Sequence, residues 1–231
     1  MVSESLTAPA PTREADLALL GAVADSLVDL PYVAWSFGDS VGFEGLLAAS
    51  ALTGDDRWLT FARGMFRGWA SRQTPFVRMD CTAPGLAMVD AYRETGDSQI
   101  LDAALQLAKY LRGRPTVGGV YATWDNTPLK HPYGPGQLPA EELKLLVAQP
   151  AGVFVDCLHF DPPFFTALGR ATGDEELIAA GIEQAEGYVR LLQDPESGLF
   201  FHFFLEGQAA PYILGWGRGQ GWALLGLLDV I

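Results

Sequence analysis

Basic residues are scarce in this sequence. Lysine and arginine together account for 15 of the 231 residues, against 28 aspartates and glutamates, and the formal net charge is -13. Proteins that bind nucleic acids neutralise the backbone phosphates with clustered lysine and arginine side chains. Because the few basic residues form no such cluster along the chain, we expect no nucleic-acid partner.

Cysteine is also rare, since only Cys81 and Cys157 are present. Two distant cysteines are too few for a disulfide framework, and they lack the paired spacing of a structural zinc site. We interpret both as reduced thiols that are buried in the core. The sequence therefore predicts neither a metal ion nor a cofactor.

Long hydrophobic runs are absent. No stretch reaches the roughly 20 apolar residues of a membrane-spanning helix, and residues 1–20 have neither the basic start nor the unbroken apolar segment of a secretory signal. These features predict a cytoplasmic protein with no membrane partner. Hydrophobic residues make up 49% of the chain, which is enough for one globular domain over residues 1–231.

A short phrase recurs along the chain: L-T-G-D at 52–55, E-T-G-D at 94–97 and A-T-G-D at 171–174. Each copy follows an apolar stretch with helical periodicity and precedes an amphipathic one. Glycine is suited to the left-handed residue that ends a helix, and aspartate to the cap that starts the next. The repeating unit is therefore predicted to be a helical hairpin.

The second and third hairpins are separated by a long insertion at about 113–155, which is rich in glycine and proline. We interpret it as a functional loop with at most one short helix, at about 139–147. A fourth unit opens at 219 and the sequence stops where its T-G-D turn would be due. Counting a helix at about 13–29, the pattern predicts eight helices in an incomplete all-α ring.

Polar residues recur at the predicted start of the first helix in each hairpin. Asp39, Asp80 and Asp156 lie 15 to 17 residues before the turn glycine, and Arg218 and Gln220 occupy the same zone of the fourth unit. Helices that run the same way around a ring bring their starts to one rim. The alternative is that each aspartate only caps its helix, which we prefer for Asp39. Apolar neighbours favour a functional role for Asp80 and Asp156.

Two further residue types fit a sugar site at this rim. His202 lies among phenylalanines in G-L-F-F-H-F-F at 198–204, where it either packs or faces a ligand. Trp216 and Trp222 either belong to the core or stack against sugar rings. His159 and Asp161 are metal-ligand types close to Asp156, but no second cluster in the sequence completes a metal site.

Three segments of the sequence resemble motifs of a known family. W-G-R-G-Q-G-W at 216–222 is similar to the W-x-R-G-[NQ]-x-W signature of glycoside hydrolase families 88 and 105. F-V-D-C-L-H-F-D-P-P-F at 154–164 resembles their W-[IV]-D-x-L-x-M-x-x-P-F segment, and R-M-D-C-T-A-P-G at 78–85 their x-x-D-x-x-x-x-G segment. Each of these two is followed by the expected T-G-D turn.

The resemblance implies an (α/α)6 toroid, here cut to about eight helices, and an enzyme for an unsaturated acidic oligosaccharide. Such enzymes hydrate the 4,5-double bond of a glucuronate or galacturonate at the non-reducing end. The resemblance also implies that Asp156 is the catalytic acid and base and that Asp80 assists Asp156. The residues implied to bind substrate are His202, Trp216, Arg218, Gln220 and Trp222.

Two other interpretations remain open at this point. Another sugar enzyme on the same ring, such as an epimerase, would keep the toroid but would not need the W-x-R-G-[NQ]-x-W motif. A non-catalytic helical repeat protein would leave Asp80 and Asp156 as solvent-facing caps without a shared cavity.

Overall fold

Eight helices account for most of the residues that the computed structural model describes, namely 12–32, 37–71, 83–123 and 150–231. They are α1 (Arg13–Val28), α2 (Phe37–Thr53), α3 (Arg57–Ala70), α4 (Gly85–Thr95), α5 (Ser98–Arg112), α6 (Cys157–Thr172), α7 (Glu175–Leu192) and α8 (Gly217–Val230). The short strands are β1 (Thr116–Val117), β2 (Val120–Tyr121), β3 (Gly152–Phe154), β4 (Phe201–Leu205) and β5 (Tyr212–Leu214). The predicted all-α class is confirmed.

The T-G-D turns have the predicted geometry. Gly54, Gly96 and Gly173 have φ values of 74°, 65° and 74°, in the left-handed region that glycine adopts without strain. In every copy the aspartate that follows accepts a hydrogen bond from the backbone N–H two residues later. The turn therefore ends one helix and starts the next with local interactions alone.

The helices form two layers. The first helices of the hairpins contact one another in the order α2, α4, α6 and α8, while α1, α3 and α5 form a second layer against them and α7 packs on α6 and α8. This alternation is the arrangement of an α/α toroid. The layers enclose a continuous apolar core, which includes Phe43, Leu46, Trp58, Phe66, Met88, Leu107, Phe164 and Leu168.

Helix α6 lies deepest in the fold. Every residue from Cys157 to Gly169 is buried, because α4, α7 and α8 all pack against this helix. The side chain of Cys157 is buried as predicted, whereas Cys81 lies outside the described residues. Gly181 of α7 permits the close approach, since a Cβ there would lie 2.7 Å from the carbonyl oxygen of Pro162.

A small antiparallel sheet crosses the start of α6. Strand β4 pairs with β3, with Phe203 opposite Phe154, and on its other edge with β5, with Phe203 opposite Tyr212. The insertion predicted at 113–155 contributes the β1–β2 hairpin and β3, and the helix predicted at 139–147 lies outside the described residues. None of the helices described is long and apolar enough to cross a bilayer.

The second T-G-D turn carries a charge interaction that we expect to stabilise the fold. Asp97 is buried, accepts a hydrogen bond of 2.7 Å from Nε of Arg63, and caps α5 through the N–H of Gln99. The hydrogen bond from Arg63 lowers the pKa of Asp97; burial opposes this effect. Replacing Asp97 by Asn is expected to lower the free energy of unfolding at pH 7 by about 2 kcal/mol, because the charge is lost while the cap remains.

The pH dependence of this effect has a defined sign. A carboxylate with a lowered pKa contributes stability above its unfolded-state value, about 3.9, and that contribution is lost as the pH falls through the folded-state value. In urea titrations the difference between Asp97→Asn and the unchanged protein should therefore shrink below about pH 4. Asp174 caps α7 with no described arginine in ion-pair range. If Asp174→Asn cost as much stability as Asp97→Asn, the role assigned to Arg63 would be wrong.

Candidate active site

Asp156 occupies the cap position of α6 but does not cap it. Its backbone is already helical, with φ -53° and ψ -44°, and its side chain accepts no hydrogen bond from the helix N–H groups. Asp97 and Asp174, at the corresponding positions of α5 and α7, are extended and do cap their helices. Asp156 therefore differs from the capping aspartates of this chain, as a functional role requires.

The carboxylate of Asp156 is largely buried, with 16% of its side chain exposed. Its Oδ2 is inaccessible to solvent and forms no hydrogen bond of acceptable geometry with any described residue. A buried acceptor without a partner costs about 1–3 kcal/mol, and native structures keep few of them outside functional sites. A proton shared with a neighbouring acceptor would remove this cost.

His202 is an ionisable neighbour of Asp156. Its Nε2 lies 3.4 Å from Oδ2 of Asp156. The strand pairing brings them together, because the N–H of Val155 donates to the carbonyl oxygen of His202 over 2.8 Å. The imidazole meets the rings of Phe154 and Phe203 edge-on, as the run of phenylalanines predicted. Its ring centroid lies 4.1 Å from that of Trp216.

Trp216 and Arg218 extend the site along the start of α8. The guanidinium carbon of Arg218 lies 4.5 Å from the ring centroid of Trp216 and 5.2 Å from that of Phe37, the first residue of α2. The starts of α2, α6 and α8 are thus linked through a row of side chains in contact. Among the described residues no carboxylate lies in ion-pair range of Arg218, so its exposed guanidinium can receive an anion.

The other predicted site residues are placed differently. Both ends of the Gln220 amide bind the backbone of Phe200, each over 2.8 Å. The ring of Trp222 stacks on that of His159 with centroids 5.2 Å apart, one turn further into α8 than Arg218. The indole N–H of Trp222 is buried and has no hydrogen-bond partner among the described residues. Asp80, the predicted second acid, lies outside the described residues, as does Cys81.

A second ionisable group lies next to Trp222. Nε2 of His159 is 3.0 Å from Oε2 of Glu44, across the layer formed by α2 and α6. Partial burial raises the pKa of Asp229; His159 opposes this rise and Glu44 adds to it. Burial also raises the pKa of Asp90, an effect that Arg93 opposes. Within the described ranges no three histidine, cysteine or acidic side chains are arranged to hold a metal ion.

Sequence reasoning missed two of these contacts. Phe37 was not predicted to hold Arg218, and Glu44 was not predicted to pair with His159. Helical periodicity places Glu44 on α2 but does not distinguish a solvated glutamate from one that faces another helix. Phe37 lies two residues before Asp39, within the first turn of α2, and the rule that placed Asp39 near the rim also applies to Phe37.

The arrangement has the parts of an acid–base site for an anionic sugar. Among the described residues it combines a buried carboxyl oxygen that has no hydrogen-bond partner, an adjacent imidazole, a cation and an aromatic ring. A carboxyl group can donate a proton from one oxygen while the opposite charge of Arg218 holds an anionic ligand.

The chain is similar to known proteins over only part of their length. The unsaturated rhamnogalacturonyl hydrolase YesR of Bacillus subtilis strain 168 is 24% identical over 200 residues, which are 83% of this chain and 52% of the relative. The chain thus spans about half the length of that enzyme.

Solved structures share the fold. An unsaturated glucuronyl hydrolase from Streptococcus agalactiae matches with a TM-score of 0.64 and 15% identity, over 97% of this chain and 60% of its own. A D-mannose isomerase matches with a TM-score of 0.57 and 12% identity, over 83% of this chain and 54% of its own. The toroid fold is therefore common to enzymes of different reactions.

The sequence profile described as Glycosyl Hydrolase Family 88 matches residues 25–231, which include α2 to α8 and the residues in contact around Asp156. A match over this much of the chain establishes what the separate motifs indicated. The chain belongs to glycosyl hydrolase family 88.

Proposed function

We propose that this protein hydrates the 4,5-double bond of an unsaturated uronic acid at the non-reducing end of an acidic oligosaccharide. Such sugars arise when a lyase cuts a polysaccharide by elimination. The proposal rests on one observation above all: Oδ2 of Asp156 is buried at a helix start, does not cap the helix, and has His202 Nε2 at 3.4 Å. The family and the activities for which its relatives are named point in the same direction.

The proposed reaction needs one group that first gives and then takes a proton. The carboxyl group of Asp156 donates its proton to C4 of the vinyl ether, and positive charge develops at C5. The resulting carboxylate removes a proton from a water molecule whose oxygen bonds to C5, which restores Asp156. One water is consumed in total, and the hemiketal formed at C5 opens and releases the next sugar without further help.

The remaining groups suit the binding of this substrate. Arg218 can pair with the sugar carboxylate, and Trp216 offers a ring face beside it. The net charge of -13 repels an anionic sugar at long range. Screening over about 8 Å at physiological ionic strength leaves the local field of Arg218 and of the helix starts to decide binding. Asp80 is proposed to assist as a second acid.

An isomerase on the same toroid is the rival with a specific observation behind it, because a D-mannose isomerase shares the fold. Likeness at 12% identity concerns the fold alone. The W-x-R-G-[NQ]-x-W motif, with Arg218 turned toward Trp216 and Phe37, favours an acidic substrate over a neutral one. A helical repeat protein without activity would have no reason to keep Asp156 buried and uncapped.

One assay separates these functions. The protein is incubated with a 4,5-unsaturated disaccharide from a glycosaminoglycan lyase and with one from a rhamnogalacturonan lyase. We expect the ultraviolet absorbance of the double bond to disappear with at least one of them, because hydration removes the conjugated double bond. Conversion of mannose with both disaccharides left intact would favour the isomerase, and no conversion of any sugar would favour the repeat protein.

A further inference from the structure

Gln220 has a role that the family resemblance does not assign. We propose that Gln220 is a positioning residue: its amide fastens the strand that carries His202 to the helix start that carries Trp216 and Arg218. The expected effect of Gln220 on turnover rests on the proposed function, whereas its role in holding the strand to the helix does not. The resemblance implied that Gln220 binds substrate directly.

The amide of Gln220 makes two hydrogen bonds with the backbone of one residue. Its Oε1 accepts a hydrogen bond from the N–H of Phe200, and its Nε2 donates to the carbonyl oxygen of Phe200, both over 2.8 Å. Two bonds to the same residue fix both distance and orientation, as a strand neighbour would. Since both ends of the amide are engaged, a direct contact with substrate would require breaking at least one of these bonds.

The peptide that Gln220 holds leads directly to His202. Phe200 immediately precedes β4, and two residues later His202 is fixed to Val155, the neighbour of Asp156, by a backbone hydrogen bond of 2.8 Å. Any displacement of Phe200 relative to α8 is therefore transmitted along one short strand. Such a displacement would change the distance between the rings of His202 and Trp216.

The other side of the contact is the start of α8. Nε2 of Gln220 also lies 3.4 Å from the carbonyl oxygen of Trp216, and the N–H of Gly215 donates to the carbonyl oxygen of Phe200 over 3.1 Å. Gln220 thus adds to the backbone pairing of β4 with β5 in holding two parts of the site in register. Asp156 and His202 form one part, and Trp216 and Arg218 form the other.

The chain contains a matched control for a purely structural role. Gln184 of α7 likewise makes two hydrogen bonds to the backbone, here of the β1–β2 hairpin. Its Oε1 accepts from the N–H of Tyr121 over 2.8 Å, and its Nε2 donates to the carbonyl oxygen of Gly119 over 3.0 Å. Gln184 is itself buried. A loss of stability alone should appear in both variants, whereas a positioning effect should appear only at Gln220.

The first experiment is spectroscopic and needs no substrate. Gln220→Met keeps the length of the side chain and removes both hydrogen bonds. Ring carbon–proton NMR spectra are recorded for the protein, which has three histidines, with His202 assigned through His202→Gln. The ring current of Trp216 acts on His202 at 4.1 Å, so we expect its signals to move. His159, which stacks on Trp222 of the same helix, should keep its signals.

The second experiment is kinetic. With the unsaturated disaccharide, Gln220→Met is expected to lower kcat by roughly 10²-fold with little change in KM, because small misplacements of acid–base groups reduce rate rather than binding. Gln184→Met should leave kcat within about twofold of the unchanged protein, since its hydrogen bonds go to the β1–β2 hairpin and not to β4 or α8. A raised KM with normal kcat in Gln220→Met would instead mean that the amide binds substrate, and would overturn the proposal.

Gln220→Glu provides rescue and covers the case in which the methionine variant does not fold. Ionised glutamate keeps the acceptor for the N–H of Phe200 but sets an oxygen against its carbonyl, whereas protonated glutamate restores a donor. As the pH is lowered, we expect the His202 signals of Gln220→Glu to approach those of the unchanged protein recorded at the same pH. Unmoved His202 signals in the folded variants would refute the positioning role, whether or not the unchanged protein turns over the disaccharide.

Discussion

Replacing Asp156 by Asn is expected to reduce turnover of a 4,5-unsaturated disaccharide by roughly 10³-fold or more, because proton transfer by a positioned carboxyl group contributes about 10²–10⁴-fold. Asparagine has the same shape and can still accept a hydrogen bond, but it cannot give a proton to C4 or take one from water. Decay of the ultraviolet absorbance of the double bond measures the rate. Binding should persist, since Arg218 and Trp216 are unchanged, and calorimetric titration with the disaccharide measures it.

The matched control is Asp174→Asn, at the start of α7. Asp174 caps its helix through the N–H groups of Glu176 and Leu177, and asparagine is an equally good cap. Turnover by this variant should stay within about twofold of the unchanged protein, because surface caps away from the site act on stability alone. Near-normal turnover by Asp156→Asn would remove the assigned acid and base, and with it the proposed reaction.

The helices were predictable because their limits are set by local interactions. Gly96 and Gly173 end their helices in the left-handed region, and Asp97 and Asp174 start the next ones through N–H groups two residues away. These interactions depend on neighbours in sequence, so a repeated T-G-D phrase is enough to place them. The strands were harder to predict because β3 and β4 are short and are separated by α6 and α7.

The role of Asp156 was left open by the sequence for a physical reason. An aspartate at a helix start serves equally as a cap or as a buried acid, and the two roles differ only in where the carboxylate points. The structure shows that the carboxylate accepts no hydrogen bond from the helix N–H groups. The phenylalanines around His202 predicted its packing, but not its distance of 3.4 Å from Asp156.

Contacts between distant segments were not predictable from one sequence. The pairing of Glu44 with His159 joins residues 115 positions apart, and nothing local to either residue indicates the other. Gln220 was assigned to substrate by its place in a motif, whereas its hydrogen bonds go to Phe200. A motif identifies which residues matter, but a side chain can matter through another residue rather than through the ligand.

The close packing of α8 on α6 provides the second large expected effect. A Cβ added at Gly226 would fall against the carbonyl oxygen of Leu158 and lie 2.9 Å from Cα of His159. These are backbone atoms of a buried helix, so they cannot move aside as a flexible side chain would. Gly226→Ala is therefore expected to lower the free energy of unfolding by about 3 kcal/mol or more, as severe overpacking does. Urea denaturation followed by circular dichroism measures the change.

Gly221→Ala, in the same helix, should change stability in the opposite direction. A Cβ at Gly221 meets no atom of the described residues within 4 Å, and alanine is favoured over glycine in a helix interior by roughly 0.5–1 kcal/mol. The gain in helix propensity is the same for Gly221→Ala and Gly226→Ala. The difference between their free energies of unfolding therefore isolates the contact of α8 with α6. Since Leu158 lies two residues from Asp156, a shifted α8 should also disturb the acid site. Equal stabilisation by the two substitutions would show that the helices are not packed as closely as the structure has them.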